Sequence, residues 1–170
     1  MIALRTANHG FRGPLPYKID DKRVNFGNDV LGGSFRGHHG RWHADSTRGA
    51  IVKEQKNHPI VAGVTDIWGP SDVYRTYKEG TSLPEGCTAL VWGQPLMGRS
   101  YDDLPNEKKE PLPVAWFKTW KTSEGKSAAV FHPTMSIGSD LECARLRRLF
   151  TYATDSCVGL HSPLSPSGEV

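Results

Sequence analysis

Three histidines fall within six residues in the stretch GHHGRWHADSTRG, from Gly37 to Gly49: His38, His39 and His43, followed by Ser46, Thr47 and Arg48. Two kinds of chemistry call for such a density of side chains. Imidazoles bind metals, and a crowd of donors and acceptors binds polar ligands. His38 and His39 are neighbours, so on an extended chain their side chains point to opposite faces. A zinc ion needs three or four converging ligands, so a metal site would have to recruit His9, His58, Asp45 or Asp72 from elsewhere in the chain. The stretch therefore reads first as one wall of a polar ligand pocket. A metal-dependent enzyme built on the His38, His39 and His43 cluster is the alternative.

No nucleophile is advertised. The chain lacks a Gly-x-Ser-x-Gly elbow, an activated cysteine setting and a glycine-rich phosphate loop. Asp66, Asp72 and Asp140 are candidate acid or base groups, but an Asp near a turn or helix start also serves as a cap. Gly32, Gly33 and Gly37 are expected at turns. No cofactor-binding motif is found, and no cofactor is expected.

The elements that must position these residues can be sketched from pattern. Ile2, Ala3 and Leu4 read as the middle of a core strand, which raises the expectation of missing upstream sequence. Residues 8–49 show neither strand nor helix period and predict a long, ordered functional loop carrying Phe11, Tyr17, Phe26, Phe35 and Trp42. A turn at His58 leads to a short apolar element, and Thr88 to Trp92 reads as a buried strand. Pro113 to Trp120 alternates, with Val114, Trp116 and Lys118 on one side. With the turn at Ser123, Glu124 and Gly125 and the run Ala128 to Phe131, it predicts a β-hairpin or two adjacent strands. The last helix is signalled by Ser139 and Glu142 as a capping box, by Leu146, Leu149, Phe150 and Ala153 on one face, and by Gly159 as terminator.

At 170 residues, with 37% hydrophobic and 23% charged residues, the chain is expected to form one domain over residues 1–160, followed by a disordered tail over 161–170. Lys and Arg number 21 against 18 Asp and Glu, and they gather into no stripe that would track phosphates, which argues against a nucleic-acid partner. No apolar run approaches the roughly 20 residues of a membrane span, so no membrane partner is expected. Arg5 interrupts any signal-like core; the expected location is the cytoplasm if the chain is complete and outside it if an upstream signal is missing. Cys87, Cys143 and Cys157 form no Cys-x-x-Cys pair and are expected to be reduced and buried.

Six segments together resemble the ThuA-like family, named for trehalose utilisation, within the class I glutamine amidotransferase-like superfamily. They are ALRTANHGF from Ala3, HHGRWHADSTRG from His38, HPIVAGVTDIWGPSDVY from His58, LVWGQPLMG from Leu90, PVAWFKTW from Pro113 and SDLECARLRRLF from Ser139. The resemblance implies an α/β fold, a flavodoxin-like three-layer sandwich with a mostly parallel sheet, here N-terminally incomplete. It also implies a carbohydrate or sugar-derivative ligand, with hydrolase or isomerase chemistry in disaccharide catabolism. The amidotransferase nucleophile is absent, so glutamine hydrolysis is not expected.

In such a sheet the opening strand delivers Arg5, Thr6, Asn8 and His9 to the ligand edge. The expected ligand-binding residues are Arg5, Asn8, His38, Arg48, Trp68 and Asp72, because sugars present hydroxyl arrays and flat apolar faces. His9 and His39 are the expected catalytic acid and base, since imidazole titrates near neutral pH. The chain departs from its relatives at Ser136, Tyr152 and Ser156. A non-catalytic sugar-binding or interaction module is the rival reading, and assembly into a homo-oligomer or completion by a further segment would cover the edge that a truncated sheet leaves open.

Overall fold

The computed structural model describes residues 1–19, 21–78 and 82–160, so the expected tail over 161–170 lies outside the described residues. In chain order the elements are α1 (Thr6–Gly10), β1 (Lys18–Ile19), β2 (Lys22–Arg23), β3 (Gly37–His38), β4 (Thr47–Ile51), β5 (Ile67–Gly69), β6 (Tyr74–Arg75), β7 (Cys87–Pro95), β8 (Leu112–Lys121), β9 (Ser127–Pro133) and α2 (Ala144–Val158). Short π and 3-10 turns join several of them.

Strands β5, β4, β7, β8 and β9 form one sheet in that order, and every pair in it is antiparallel. Register shifts between Ala89 and Trp92 break the β7–β8 ladder and help curl the sheet into a half-barrel. The expected flavodoxin-like sandwich with a mostly parallel sheet is therefore wrong. Connection length gives the physical reason: residues 122–126 join β8 to β9, whereas a parallel neighbour needs a crossover of about a dozen residues or more, usually a helix. Among the described residues α2 is the one long helix, too little to cover both faces of a parallel sheet. The hairpin read from Pro113 to Phe131 is present, with Trp116 paired to His132 and Phe117 to Phe131.

The opening residues run beside β9 in the parallel sense. Ile2 bridges Phe131, and the amides of Ala3 and Arg5 donate to the carbonyls of Phe131 and Pro133, each at 3.0 Å. A short lateral contact thus replaces the expected core strand: Ala3 is buried, Ile2 half-buried and Leu4 exposed.

Two cores hold the fold. The larger packs Leu146, Leu149 and Ala153 of α2, with Ile60, Val61 and Val64, against Ile67, Val91, Val114 and Phe131 of the sheet. The smaller gathers Ala3, Leu15, Val24, Val30, Leu31 and Val130 under residues 11–31, so that part of the expected long loop is packed structure. Trp116, fully buried, ties this region down by donating its indole N–H to the Leu31 carbonyl at 2.8 Å. Beside it Gly32 adopts φ 82, and a Cβ there would lie 2.7 Å from the same indole nitrogen, so no larger residue fits.

Gly159 ends α2 in the left-handed region at φ 77, as its position predicts. The capping box does not form as expected. Ser139 and Glu142 lie in a separate 3-10 turn, Gly138–Glu142, and Cys143 stands at the N-cap of α2 without a side-chain cap. Asp140 does the capping in that turn, its Oδ2 accepting the Ile137 amide at 3.1 Å. Cys87, Cys143 and Cys157 are free thiols, each partly rather than fully buried.

Candidate functional site

The site is built where residues 34–39 run against residues 73–76. Strands β3 and β6 pair Gly37 with Arg75 and His38 with Tyr74. Amide bonds from Ser34 to Thr76, Arg36 to Arg75 and His39 to Val73 carry the pairing further in both directions. Residues opposite one another on an antiparallel pair share a face, so His38 and Tyr74 meet, with ring centroids 5.4 Å apart.

Arg5 enters this face from the parallel segment. Its Nη1 donates to the carbonyls of Asp72 and, at 3.0 Å, of Thr134, while Nη2 lies 3.4 Å from Asp72 Oδ1. The guanidinium carbon sits 4.2 Å from the Tyr74 ring centroid, a cation–π contact. Asp72 is 3% exposed, and its other oxygen, Oδ2, lies 2.6 Å from His38 Nδ1. A carboxylate only accepts, so Nδ1 carries the hydrogen and Nε2 of the neutral ring presents its lone pair. The His38 side chain is 32% exposed, and the bond to Asp72 holds it by one nitrogen.

Aromatic rings frame that imidazole. Phe35 lies 5.5 Å from His38 and 4.7 Å from Tyr74, Trp42 lies 5.8 Å from His38 and is 66% exposed, and His9 packs at a tilt against Phe35, 4.4 Å between centroids. Beneath them is a second layer of buried polar groups. Ser71 donates its hydroxyl to Asp140, 2.7 Å from each carboxylate oxygen, and its carbonyl accepts the Thr47 hydroxyl at 2.8 Å. Burial pushes the Asp140 carboxyl above its ordinary pKa, against the hydrogen bonds from Ser71 and Ile137 and the charge of Arg5. Gly40 lies against both Asp45 and Asp72, and Asp45 is held by the Arg41 amide at 2.7 Å and the Arg41 side chain at 2.9 Å.

Of the residues expected from sequence, Arg5, His9, His38 and Asp72 come together here. Asn8 is wholly buried, its side-chain amide without a hydrogen-bond partner and its carbonyl accepting the Phe35 amide, so it lies under this wall rather than on it. Arg48 and Trp68 pair across β4 and β5 and contact Tyr101: Arg48 lies 4.8 Å from the Tyr101 ring centroid and Trp68 lies 6.1 Å from it. Tyr101 in turn donates its hydroxyl to Asp66 at 2.8 Å. His39 turns away from His38. It is 8% exposed, bonds the Glu110 carbonyl through Nε2 at 2.7 Å, and is held below the ordinary histidine pKa by burial first and then by the charges of Lys109 and Arg75. His43 packs at a tilt against Trp42, 4.3 Å between ring centroids. Among the described residues, no group of three or more His, Cys, Asp and Glu side chains is placed to hold a metal ion. The histidine cluster is dense in sequence and dispersed in space.

Sequence reasoning missed Tyr74, Ser71 and the role of Asp140. Tyr74 ends the run SDVY that carries Asp72, and the alternation Asp72, Tyr74 was the available signal that both share a face.

No protein-family model, curated protein or solved structure matches this chain. Its class is defined by its own geometry: an antiparallel half-barrel domain with an arginine-anchored Asp–His pair at an aromatic surface.

Proposed function

We propose that this domain binds a carbohydrate or a similar polyhydroxylated small molecule at the His38 surface, and that His38 exchanges a proton with it. The observation that carries the reading is Asp72, buried and anchored by Arg5, bonded to Nδ1 of a partly exposed histidine set among the rings of Phe35, Trp42 and Tyr74. An Asp so placed fixes the imidazole tautomer and stabilises the imidazolium that forms when Nε2 takes a proton, which is the task of a general base in hydrolysis or isomerisation. Trp42 and His9, both exposed, with the half-buried Phe35, offer apolar faces on which a sugar ring stacks, and the buried Tyr74 supports them from behind. His38 takes the catalytic role expected of His9 and His39, and His9 serves at the rim.

One observation favours a purely binding module instead. Among the described residues the hydrogen-bond partner of His38 is Asp72, and no serine, threonine or cysteine is bonded to Nε2 as a nucleophile. A panel of mono- and disaccharides in a thermal melt tests binding, because a ligand that binds only the folded state raises the midpoint. The expected result is a shift with one sugar class that His38→Gln removes while the unliganded midpoint stays within about 4 °C. No shift with any sugar overturns the reading. A shift without turnover, unaffected by Asp72→Asn, selects the binding module.

A further inference from the structure

Asp140 stands beneath the His38 surface as a buried carboxylate without a bonded cation. It is wholly buried, and among the described residues its side-chain partners are neutral: the Ser71 hydroxyl, 2.7 Å from each oxygen, and the Ile137 amide at 3.1 Å. Those bonds alone do not call for a charge. Asn in its place would accept from the Ile137 amide and reach the Ser71 hydroxyl as well, and would cost less to bury. Gly69 leaves the space that the carboxylate fills, since a Cβ there would collide with Asp140 Oδ1.

Two ties connect this carboxylate to Asp72. The first is structural, because residues 71–72 and 134–137 are stitched together from both sides. Arg5 donates from Nη1 to the Asp72 and Thr134 carbonyls and from its amide to the Ser136 hydroxyl at 2.9 Å, while Asp140 joins Ser71 to Ile137. The second tie is electrostatic. Burial disfavours the charge of Asp140, Arg5 favours it and Asp72 opposes it, so one guanidinium serves two buried carboxylates. A negative Asp140 offsets part of the Arg5 charge at Asp72 and leaves Oδ2 a stronger acceptor for His38 Nδ1.

We infer that Asp140 is a positioning residue for His38: through Ser71 it fixes the backbone that carries Asp72, and through the shared Arg5 its charge strengthens the bond from His38 Nδ1 to Asp72. Sealed below the surface, it acts on a ligand only through the imidazole, whose free lone pair it keeps at Nε2. The inference rests on the proton exchange proposed for His38, which needs that lone pair. Its test reads the imidazole without ligand, so a failure of this link and a failure of sugar binding are told apart.

NMR of the His38 ring nitrogens and their protons, assigned by loss of the signals in His38→Gln, measures the ratio of the Nδ1–H to the Nε2–H tautomer. The unmutated protein is expected to hold the Nδ1–H form. Asp140→Asn removes the charge while keeping the shape, and should lower that ratio about threefold or more. Ser71→Ala should lower it as well, since it cuts the link between Asp140 and the backbone of Asp72. Val24→Ala, a loss in the smaller core, should leave the ratio unchanged. An unchanged ratio in either folded site variant, an equal fall in Val24→Ala, or an unmutated ring in the Nε2–H form overturns the inference. If Asp140→Asn fails to fold, Ser71→Ala decides alone.

Discussion

Arg5 grips Asp72 at two points, donating from Nη1 to its backbone carbonyl and standing 3.4 Å from its carboxylate through Nη2. One guanidinium therefore fixes both the loop that carries the aspartate and the direction in which its side chain faces. What remains of the carboxylate, Oδ2, is turned to His38.

Arg5→Met should destabilise the domain by about 3 kcal/mol, because it leaves a buried carboxylate with half its partners. Urea denaturation of the two proteins measures this. A loss below about 1 kcal/mol would show that His38 and the surrounding backbone suffice to hold Asp72.

His132 gives the fold an acid-side weakness. It is buried against Trp116, donates through Nδ1 to the Ala3 carbonyl, and is held by burial at a pKa of about 4 against an ordinary 6.5. Above pH 6.5 it is neutral in both states and contributes no pH dependence. As pH falls from 6.5 to 4 the unfolded chain takes up a proton that the native state refuses, so stability falls by about 3 kcal/mol across that window. His132→Phe should make the curve of unfolding free energy against pH shallower there. It should not become flat, since burial also lowers the pKa of His39 and His58. An unchanged slope in the variant would sink this assignment.

Ser71→Ala removes the hydroxyl that serves both oxygens of Asp140. The expected cost is about 1–3 kcal/mol at neutral pH. The sign of its pH dependence is definite: losing a bond to the charged form raises the Asp140 pKa further, so the penalty is largest when the carboxylate is ionised and shrinks as acid protonates it. Stability measured at neutral and acid pH for both proteins checks this, and a cost that grows in acid would contradict it.

Gly93 faces Gly49 across β4 and β7, and a Cβ on Gly93 would lie 2.3 Å from Val114 Cγ1. Gly93→Ala should cost about 1–3 kcal/mol by overpacking. Val114→Ala in the same chain should recover part of that loss, read as a coupling energy in a double-mutant cycle of thermal melts. Additive losses would mean that the sheet, rather than the valine, yields.

Parts of this architecture could be read from the residues. The β8–β9 hairpin declared itself through alternation, Val114, Trp116 and Lys118 being buried on one side, and through the turn at Gly125, which adopts φ 78. Helix α2 declared itself through Leu146, Leu149 and Ala153 at helical spacing. The overall sheet did not, because the family resemblance implied a parallel arrangement that the short connection between β8 and β9 forbids. The site was legible in its ingredients and not in its partners. Strands β3 and β6 are two residues each, so the alternation of Asp72 and Tyr74 hints at a shared face but cannot choose its partner; the tertiary pairing of His38 with Tyr74 decides that His38 and not His39 meets Asp72.

The parallel segment at the start of the chain has a consequence for the order of folding. Arg5 reaches Asp72 across 67 residues of sequence and Thr134 across 129. Closing loops of that length costs entropy before any contact repays it, so these bonds belong late in folding, after the local hairpin and helix. A partly folded chain can thus possess β8, β9 and α2 and still lack an anchored Asp72. Competence of the His38 surface then becomes a readout of complete folding, present only when the opening segment has met both Asp72 and Thr134.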